Sequence, residues 1–531
     1  MVRLAKRHPL GIPPLDFAWQ CESIRPKHYT PMSIRTIAGQ ALLPEVEAFL
    51  SKEIHGAVIG GRELFASNGD TFDTHDPGSG EKLATVANMQ PDDVESAVAA
   101  AQEAFDKADW ARLPANERGV LLMRLADTVE QHKLIITQIE SLDCGKIAAQ
   151  AEDDVQNFID TVRYFCNLAQ GLSLDTAIPV AGHEASVVRH AWGPCGFIVP
   201  WNFPFLLCGW GIGPAMAAGN TCVVKPAEDT PLSTLYVAHL AREIGIPDGV
   251  INVIPGVGEV TGAALSRNPN LCRMSFTGSP EVGRMVARDC GHNLIPVKLE
   301  LGGKGAAVIF DDVDIPEAAD KLAQAITFHT GQVCCDATRW LVQKSIYDDF
   351  VNAAVERLKA IQIGHPLGQA TQMGPVVSDI QHKRVLGYLE KGTAAGAETV
   401  LEGGAAQIEG CEGGHYVKPA LLAGSLDNVA AREEIFGPVA YLAPFSDESE
   451  GIRLANNTDY GLANSVWSSN LARCKRVASQ FEAGNGWINS HNVVVHGVPY
   501  AGVKKSGMGG GVVSLETLLD YYRNISVIRP I

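Results

Sequence analysis

Short apolar runs alternate with turn residues over residues 59–87, and Ser67-Asn68-Gly69-Asp70 and Asp76-Pro77-Gly78 punctuate them. This pattern reads as strands and turns. After Pro91 the period lengthens, and Val94, Val98, Ala101 and Phe105 share one helical face. A second helix is expected from Asn116-Glu117-Arg118, carrying Leu121, Leu122, Leu125 and Val129 towards Gly145, and a third over residues 149–169. Residues 172–192 have mixed polarity and read as irregular. Strands follow at 197–200, 221–225, 250–254 and 272–276, with a helix between the second and third that Thr230-Pro231 caps and that ends near Gly245. Strands alternating with helices imply a parallel, doubly wound sheet.

After Gly303 a second α/β unit begins. A strand is expected at 305–310, a helix at 315–330, a strand at 340–343, a helix at 346–363, and further strands at 464–467 and 487–489. The loop Ala431-Arg432-Glu433-Glu434-Ile435-Phe436-Gly437-Pro438-Val439 precedes another strand, and no internal repeat or low-complexity tract is present.

One stretch imitates a membrane span, since residues 196–224 carry no charge and are long enough to cross a bilayer. Pro200, Pro204 and Pro214, with Gly209, Gly211, Gly213 and Gly219, would break such a helix repeatedly. The stretch therefore reads as a buried strand, a loop and a short helix, not as a membrane anchor.

With 531 residues, two or three domains are expected. A net charge of −17 argues against a nucleic-acid partner or an anionic membrane surface. Twelve cysteines are scattered with no C-x-x-C pair and no cluster with histidine, which excludes a zinc site or disulfide framework and points to the cytoplasm or another reducing compartment. Residues 1–50 read as an addition. Arg3, Lys6, Arg7, Arg25, Lys27 and Arg35 outnumber the acids as in an import sequence, but Pro9, Pro13, Pro14, Pro26 and Pro31 spoil an amphipathic helix. A disordered or surface-laid extension is expected, and a start at Met32 stays open.

The chemistry centres on Phe328-His329-Thr330-Gly331-Gln332-Val333-Cys334-Cys335-Asp336-Ala337-Thr338-Arg339, with Leu299-Glu300-Leu301-Gly302-Gly303-Lys304 upstream. Cys334 is the candidate nucleophile and Glu300 its proton acceptor, because a thiol works as thiolate and needs a base or an electropositive setting. A vicinal disulfide would be strained, and a plain buried thiol is the bland alternative. Two Gly-rich turns, Pro255-Gly256-Val257-Gly258-Glu259-Val260-Thr261-Gly262 and Thr277-Gly278-Ser279-Pro280-Glu281-Val282-Gly283, fall at strand ends, where backbone N–H groups can meet a phosphate. Neither is a clean dinucleotide fingerprint. Lys225-Pro226-Ala227-Glu228 also ends a strand and reads either as a ribose-binding pair or as a solvated turn.

Together these stretches resemble the aldehyde dehydrogenase superfamily over residues 59–528. The resemblance rests on Pro200-Trp201-Asn202-Phe203-Pro204, Lys225-Pro226-Ala227-Glu228, Phe276-Thr277-Gly278-Ser279, Glu300-Leu301-Gly302-Gly303-Lys304, Gly331-Gln332-Val333-Cys334 and Glu434-Ile435-Phe436-Gly437-Pro438. It implies a Rossmann-like NAD-binding domain (55–170 and 192–302), an α/β catalytic domain (303–505), an oligomerisation arm (171–191 and 506–531) and the extension 1–54. It also implies oxidation of an aldehyde to an acid. Cys334 would attack the carbonyl, Asn202 and the cysteine N–H would hold the oxyanion, and Glu300 would activate the hydrolytic water. The implied cofactor set is Lys225 and Glu228 on the adenine ribose, Gly258 and Gly262 at the adenine pocket, Trp201, Gly278, Ser279 and Gly283 at the pyrophosphate, Glu434 and Phe436 at the nicotinamide ribose, with Phe276 and Leu301 beside them. Glu228 would bind ribose hydroxyls and repel a 2′-phosphate, so NAD is expected over NADP. No metal is implied.

Phe203, Trp210 and Tyr500 resemble substrate-tunnel positions, with Ser490-His491-Asn492 near the mouth. Such a tunnel suits aliphatic or aromatic aldehydes, or a quaternary ammonium through cation–π contact. The partner expected is another copy of the chain, as a dimer or tetramer. Two departures stand out: Ser506-Gly507-Met508-Gly509-Gly510-Gly511 puts Gly511 where the family often has an acid, and Gly305-Ala306-Ala307 follows Lys304. Two alternatives stand beside this reading: a coenzyme-A-acylating relative, which Glu300 argues against, and a silent cofactor-binding relative, which the Gly511 departure permits.

Overall fold

The computed structural model describes residues 36–107 and 110–531. Two large sheets dominate it. The first runs Gly507–Met508, Val297–Leu301, Arg273–Gly278, Pro194–Ile198, Thr221–Lys225, Ile251–Val253, Ala57–Ile59, Arg62–Leu64. Its five central strands are parallel, and the three edge additions are antiparallel. Thr221–Lys225 is buried at every residue, as a strand covered on both faces by helices requires. The chain enters at Pro194–Ile198, winds outward through Thr221–Lys225 and Ile251–Val253, then returns to the other side with Arg273–Gly278 and Val297–Leu301. The reversal leaves a crevice at the carboxyl ends of Pro194–Ile198 and Arg273–Gly278, where doubly wound sheets take their ligands.

The second sheet runs Glu398–Leu401, Ala420–Ala423, Val439–Phe445, Arg339–Gln343, Ala306–Ile309, Ala463–Trp467, Asn485–Ile488, and only Glu398–Leu401 is antiparallel. A third, three-stranded sheet joins Tyr522–Pro530 to His183–Ala191 and Asp175–Ala177, in register from Tyr522 opposite Ala191 to Pro530 opposite His183.

Several expectations are corrected. Residues 172–192 are two arm strands, and their mixed polarity arises because neither face of His183–Ala191 is buried. The helix expected from 116 to 145 is two, Ala115–Gln131 and Lys133–Cys144, broken at His132, and the second stops at Gly145 with φ 78°. Thr230 does not cap the helix Leu232–Glu243; the Leu232 N–H donates instead to Asp143 Oδ2 at 2.8 Å, from a distant helix. Gly507–Met508, assigned to the arm, pairs with the Glu300 strand. Residues 36–50 form a hairpin and the helix Pro44–Leu50, and Ile37, Leu42, Val46 and Leu50 join the first core. The surface-laid reading fails there because four apolar side chains find a buried seat. The basic residues before them, Cys21 and Met32 lie outside the described residues. Residues 196–224 resolve as a strand, a loop, the 14-residue helix Pro204–Ala217 and a strand; among the described residues no helix is long and apolar enough to cross a membrane.

Candidate active site

Cys334 and Glu300 line one cavity, Glu300 from the first sheet and Cys334 from the loop that leads into Arg339–Gln343 of the second. The helix Ile315–Thr327 ends in a sharp kink, with His329 (φ 45°), Thr330 (φ 56°) and Gly331 (φ 70°) all left-handed. Such a run is costly for residues with a Cβ and persists only when its surroundings hold it. A Cβ on Gly331 would collide with the Gly437–Pro438 backbone, so this position has to be glycine. Gln332 is fully buried and locks the turn: its Oε1 accepts from Val377 N (2.9 Å), its Nε2 donates to His329 O (3.1 Å), and its carbonyl accepts from Asn202 Nδ2 (2.9 Å). The Gly-Gln pair thus aims the thiol.

Cys334 is half-buried and its Sγ lies 3.6 Å from Tyr500 Oη. A hydrogen bond from the Cys335 thiol, helped by Tyr500 and opposed by burial, holds Cys334 below the usual thiol range. The Cys335 thiol is pushed well up by its bond to Cys334 and by burial. Both cysteines are free, and the vicinal bridge does not form. Cys335 is pinned: its Sγ faces Asn492 Oδ1 at 3.5 Å, and its carbonyl lies 2.8 Å from His491 Nε2. His491, expected near a tunnel mouth, is turned inward instead, and burial lowers its pKa to about 4, so the ring is neutral. Of the three residues 490–492, only Asn492 lines the cavity.

Glu300 is buried on Val297–Leu301, and neither carboxyl oxygen has a hydrogen-bond partner. Burial raises its pKa well above the usual carboxyl range, with the Lys298 ammonium opposing and Cys334 adding. Between thiol and carboxyl opens a cavity of about 250 Å³. Phe203, Trp210 and Tyr500 all line it, as expected, with Phe328. Trp210 and Tyr500 pack at 5.8 Å, Phe203 stacks on Phe328 at 6.3 Å, and the buried Lys146 ammonium sits 3.9 Å over the Phe203 ring. Trp210 Nε1 donates to Asn157 Oδ1 at 2.7 Å. Sequence reasoning missed Asp153, Asp154 and Asn157, which reach the cavity from the helix Ala148–Gly171, and it missed Lys298. The i, i+2 spacing of Lys298 and Glu300 on a strand was the available signal.

The expected cofactor residues fall along the crevice of the first sheet. Lys225 Nζ pairs with Glu228 Oε2 at 2.8 Å, and Gly258 N donates to Glu228 Oε1 at 3.2 Å. Burial works against ionisation of Glu228, but Lys225 beside it keeps the carboxyl below its usual range. Gly258–Gly262 forms a wide helical turn that opens Ala263–Arg267, and Gly262 lies against the Lys225 stem. Ser279 caps the helix Pro280–His292, its Oγ accepting from Val282 N at 3.2 Å. A Cβ on Gly278 would strike Phe276 at 2.6 Å, and one on Gly283 would strike Leu301 at 2.6 Å, so Phe276 and Leu301 sit under this turn. Trp201 meets Phe436 edge-on at 5.2 Å, Phe436 has φ 64°, and Glu434 Oε1 accepts from Gly303 N at 2.8 Å. Among the described residues no His/Cys/Asp/Glu group has metal-binding geometry.

An ionisable thiol shares one cavity with an unpartnered buried carboxyl, beside the crevice of a doubly wound α/β sheet. A family model described as the aldehyde dehydrogenase family matches residues 65–528, and the chain belongs to that family; it is an aldehyde dehydrogenase by enzyme class. It is 41% identical to an aldehyde dehydrogenase of Emericella nidulans, over 89% of this chain and 94% of that one. It is 37% identical to a mitochondrial benzaldehyde dehydrogenase of Antirrhinum majus, covering 93% of each. The solved NAD+ complex of an aldehyde dehydrogenase from Bacillus cereus superposes with a TM-score of 0.89 at 37% identity, covering 92% of this chain and 99% of that one.

Proposed function

We propose that the protein oxidises an apolar, aryl or alkyl aldehyde to its carboxylic acid with NAD. The observation that carries this reading is the lowered Cys334 thiol facing the orphaned Glu300 carboxyl across an aromatic-walled cavity. Cys334 thiolate adds to the carbonyl carbon, and the oxyanion is held by the Cys334 N–H and the Asn202 amide, one of whose hydrogens stays on Gln332 O. NAD, when bound, supplies the hydride acceptor. Cys334 then carries the acyl group as a thioester. Glu300 takes a proton from water, the water oxygen bonds to the acyl carbon, and the C–S bond breaks to free the acid.

The residues present fit NAD. The N-terminal end of Pro280–His292 suits the pyrophosphate, with Trp201, Gly278, Ser279 and Gly283 around it. Glu228 offers acceptors to a ribose diol and like-charge repulsion to a 2′-phosphate, which favours NAD over NADP. Gly258 and Gly262 border the adenine, and Glu434 and Phe436 the second ribose. The relatives named for benzaldehyde and for an NAD+ complex support both parts. Tyr522–Pro530 leaves Ile525, Val527 and Ile528 exposed along the arm, which supports pairing with a second copy as a dimer or tetramer. The buried free thiols suit the cytoplasm or another reducing compartment.

The test is NADH formation with short aliphatic, long aliphatic, aromatic and trimethylammonium aldehydes. Turnover is expected to be fastest with benzaldehyde-like and medium alkyl substrates. Turnover only when coenzyme A is added would overturn the hydrolytic step, and no NADH from any aldehyde would overturn the reading.

A further inference from the structure

A carboxylate that takes a proton from water has to lose it again, yet Glu300 is buried with both oxygens unpartnered. Lys298 stands two residues earlier on the same strand, so both side chains leave the sheet on one face. The register sets Lys298 beside Ser275 and Glu300 beside Thr277, and all four line the cavity. Lys298 Nζ is also buried and lacks a hydrogen-bond partner. The charged groups that face it are Arg273 on the neighbouring strand, Glu300 on its own, and Asp520 at the end of the helix Leu515–Asp520. The Tyr521 ring lies 5.7 Å from Nζ. Asp520 pairs with Arg273 at 3.2 Å and is 35% exposed, so this corner leads from the cavity to solvent. The loop 509–511 folds over it. A Cβ on Gly509 would meet Val297 O and Lys298 Cα, and one on Gly510 would lie 2.7 Å from Asp520 Oδ2.

We propose that Lys298 is a proton-relay residue acting through Glu300, taking the proton that Glu300 removes from the hydrolytic water and passing it towards Asp520 and solvent. This rests on the function proposed above. The bonds balance: the Lys298 ammonium sheds H⁺ towards Asp520 and solvent, water loses H⁺ to Glu300, its oxygen joins the acyl carbon, Cys334 leaves as thiolate, and the Lys298 amine so formed accepts H⁺ from Glu300. Burial, with Arg273 adding to it, lowers Lys298 to about 8, while burial raises Glu300. Burial thus moves the two proton affinities towards each other, which favours transfer between the two groups. A lysine in a buried site can shed its proton; an arginine there cannot.

The experiment uses Lys298→Met and Lys298→Arg in the full chain. Rapid mixing with NAD and benzaldehyde is expected to give a full NADH burst at the wild-type rate in both, followed by turnover slowed about 10²-fold. Iodoacetamide should still alkylate Cys334 at the wild-type rate, which reports an intact thiol site. In the cofactor-free protein, infrared titration of the Glu300 carboxyl should move upward in Lys298→Met and stay near wild type in Lys298→Arg. Wild-type turnover in Lys298→Arg would overturn the relay, since charge alone would then suffice, and so would an unchanged pH profile in both variants. If Lys298→Met does not fold, Lys298→Arg alone decides between these outcomes. A wild type that forms no NADH from any aldehyde sinks the proposed function and the relay together, a failure distinct from the other two.

Discussion

The two walls of the cavity are built on opposite plans. On the Cys334 side the groups that hold the thiol loop in the cavity wall are partnered: the Gln332 side chain and carbonyl make three hydrogen bonds, Cys335 is held by His491 and Asn492, and the Cys334 sulfur faces Tyr500. On the Glu300 side the carboxyl and the Lys298 ammonium are buried and make none. An unpaired buried charge costs free energy, so this wall has been left uncompensated while the other was secured. The difference teaches a division of labour. In the proposed mechanism the thiol acts as its anion, and the hydrogen bonds from Cys335 and Tyr500 lower its pKa. The carboxyl must meet a water that comes later, so its oxygens stay uncommitted.

The largest break in that comparison should come from Cys334→Ala, which removes the covalent step; NADH formation is expected to fall by at least about 10³-fold while Cys335→Ala stays active. Loss in Cys335→Ala alone would shift the nucleophile by one residue. Next, Glu300→Gln should slow steady turnover by about 10²- to 10³-fold yet keep fast alkylation of Cys334, because only the uncommitted wall is touched. The wild type should show the same wall in its pH profile. The Glu300 carboxyl is raised, its base form grows as pH rises through that raised pKa, and deacylation-limited turnover should climb towards the alkaline side instead of levelling near pH 5. On the thiol side, Tyr500→Phe deletes a donor to the anion, so the pH at which alkylation is half-maximal should rise by up to about one unit, with turnover at neutral pH down a few-fold. The smallest effect should be at the crevice: Glu228→Ser should raise relative use of NADP by about tenfold, measured as the ratio of kcat/KM values.

Much of this arrangement was legible in the chain, because local rules governed it. Strands at 221–225 and 464–467, the turns after them, and the motifs around Glu300 and Cys334 all depend on neighbours within a few residues. The rest depended on distant ones. Neither the kink at His329 and Thr330 nor its cause, the Gly437–Pro438 backbone over Gly331, has a local signature. The cap of Leu232–Glu243 comes from Asp143, 89 positions away. The arm strands carry no periodicity because no core faces them, and residues 36–50 looked dispensable because their four anchoring side chains are spread over a hairpin and one short helix. Asp154 was invisible as a cavity residue for a different reason: its charge is spoken for by the buried Lys146, a pairing that only the folded helix reveals.

The unequal anchoring of the cavity's aromatic and valine walls has a practical side. Trp210 is tethered to Asn157 and Phe203 is clasped between Lys146 and Phe328, whereas Val494 and Val512 come from segments outside the named helices and strands and present side chains with no polar tether, Val512 being held only through its backbone bridge to Tyr500. Someone wishing to recut the enzyme for bulkier feedstocks would therefore diversify those two valines first. The aromatic pair would serve as the fixed jig against which each new pocket is shaped.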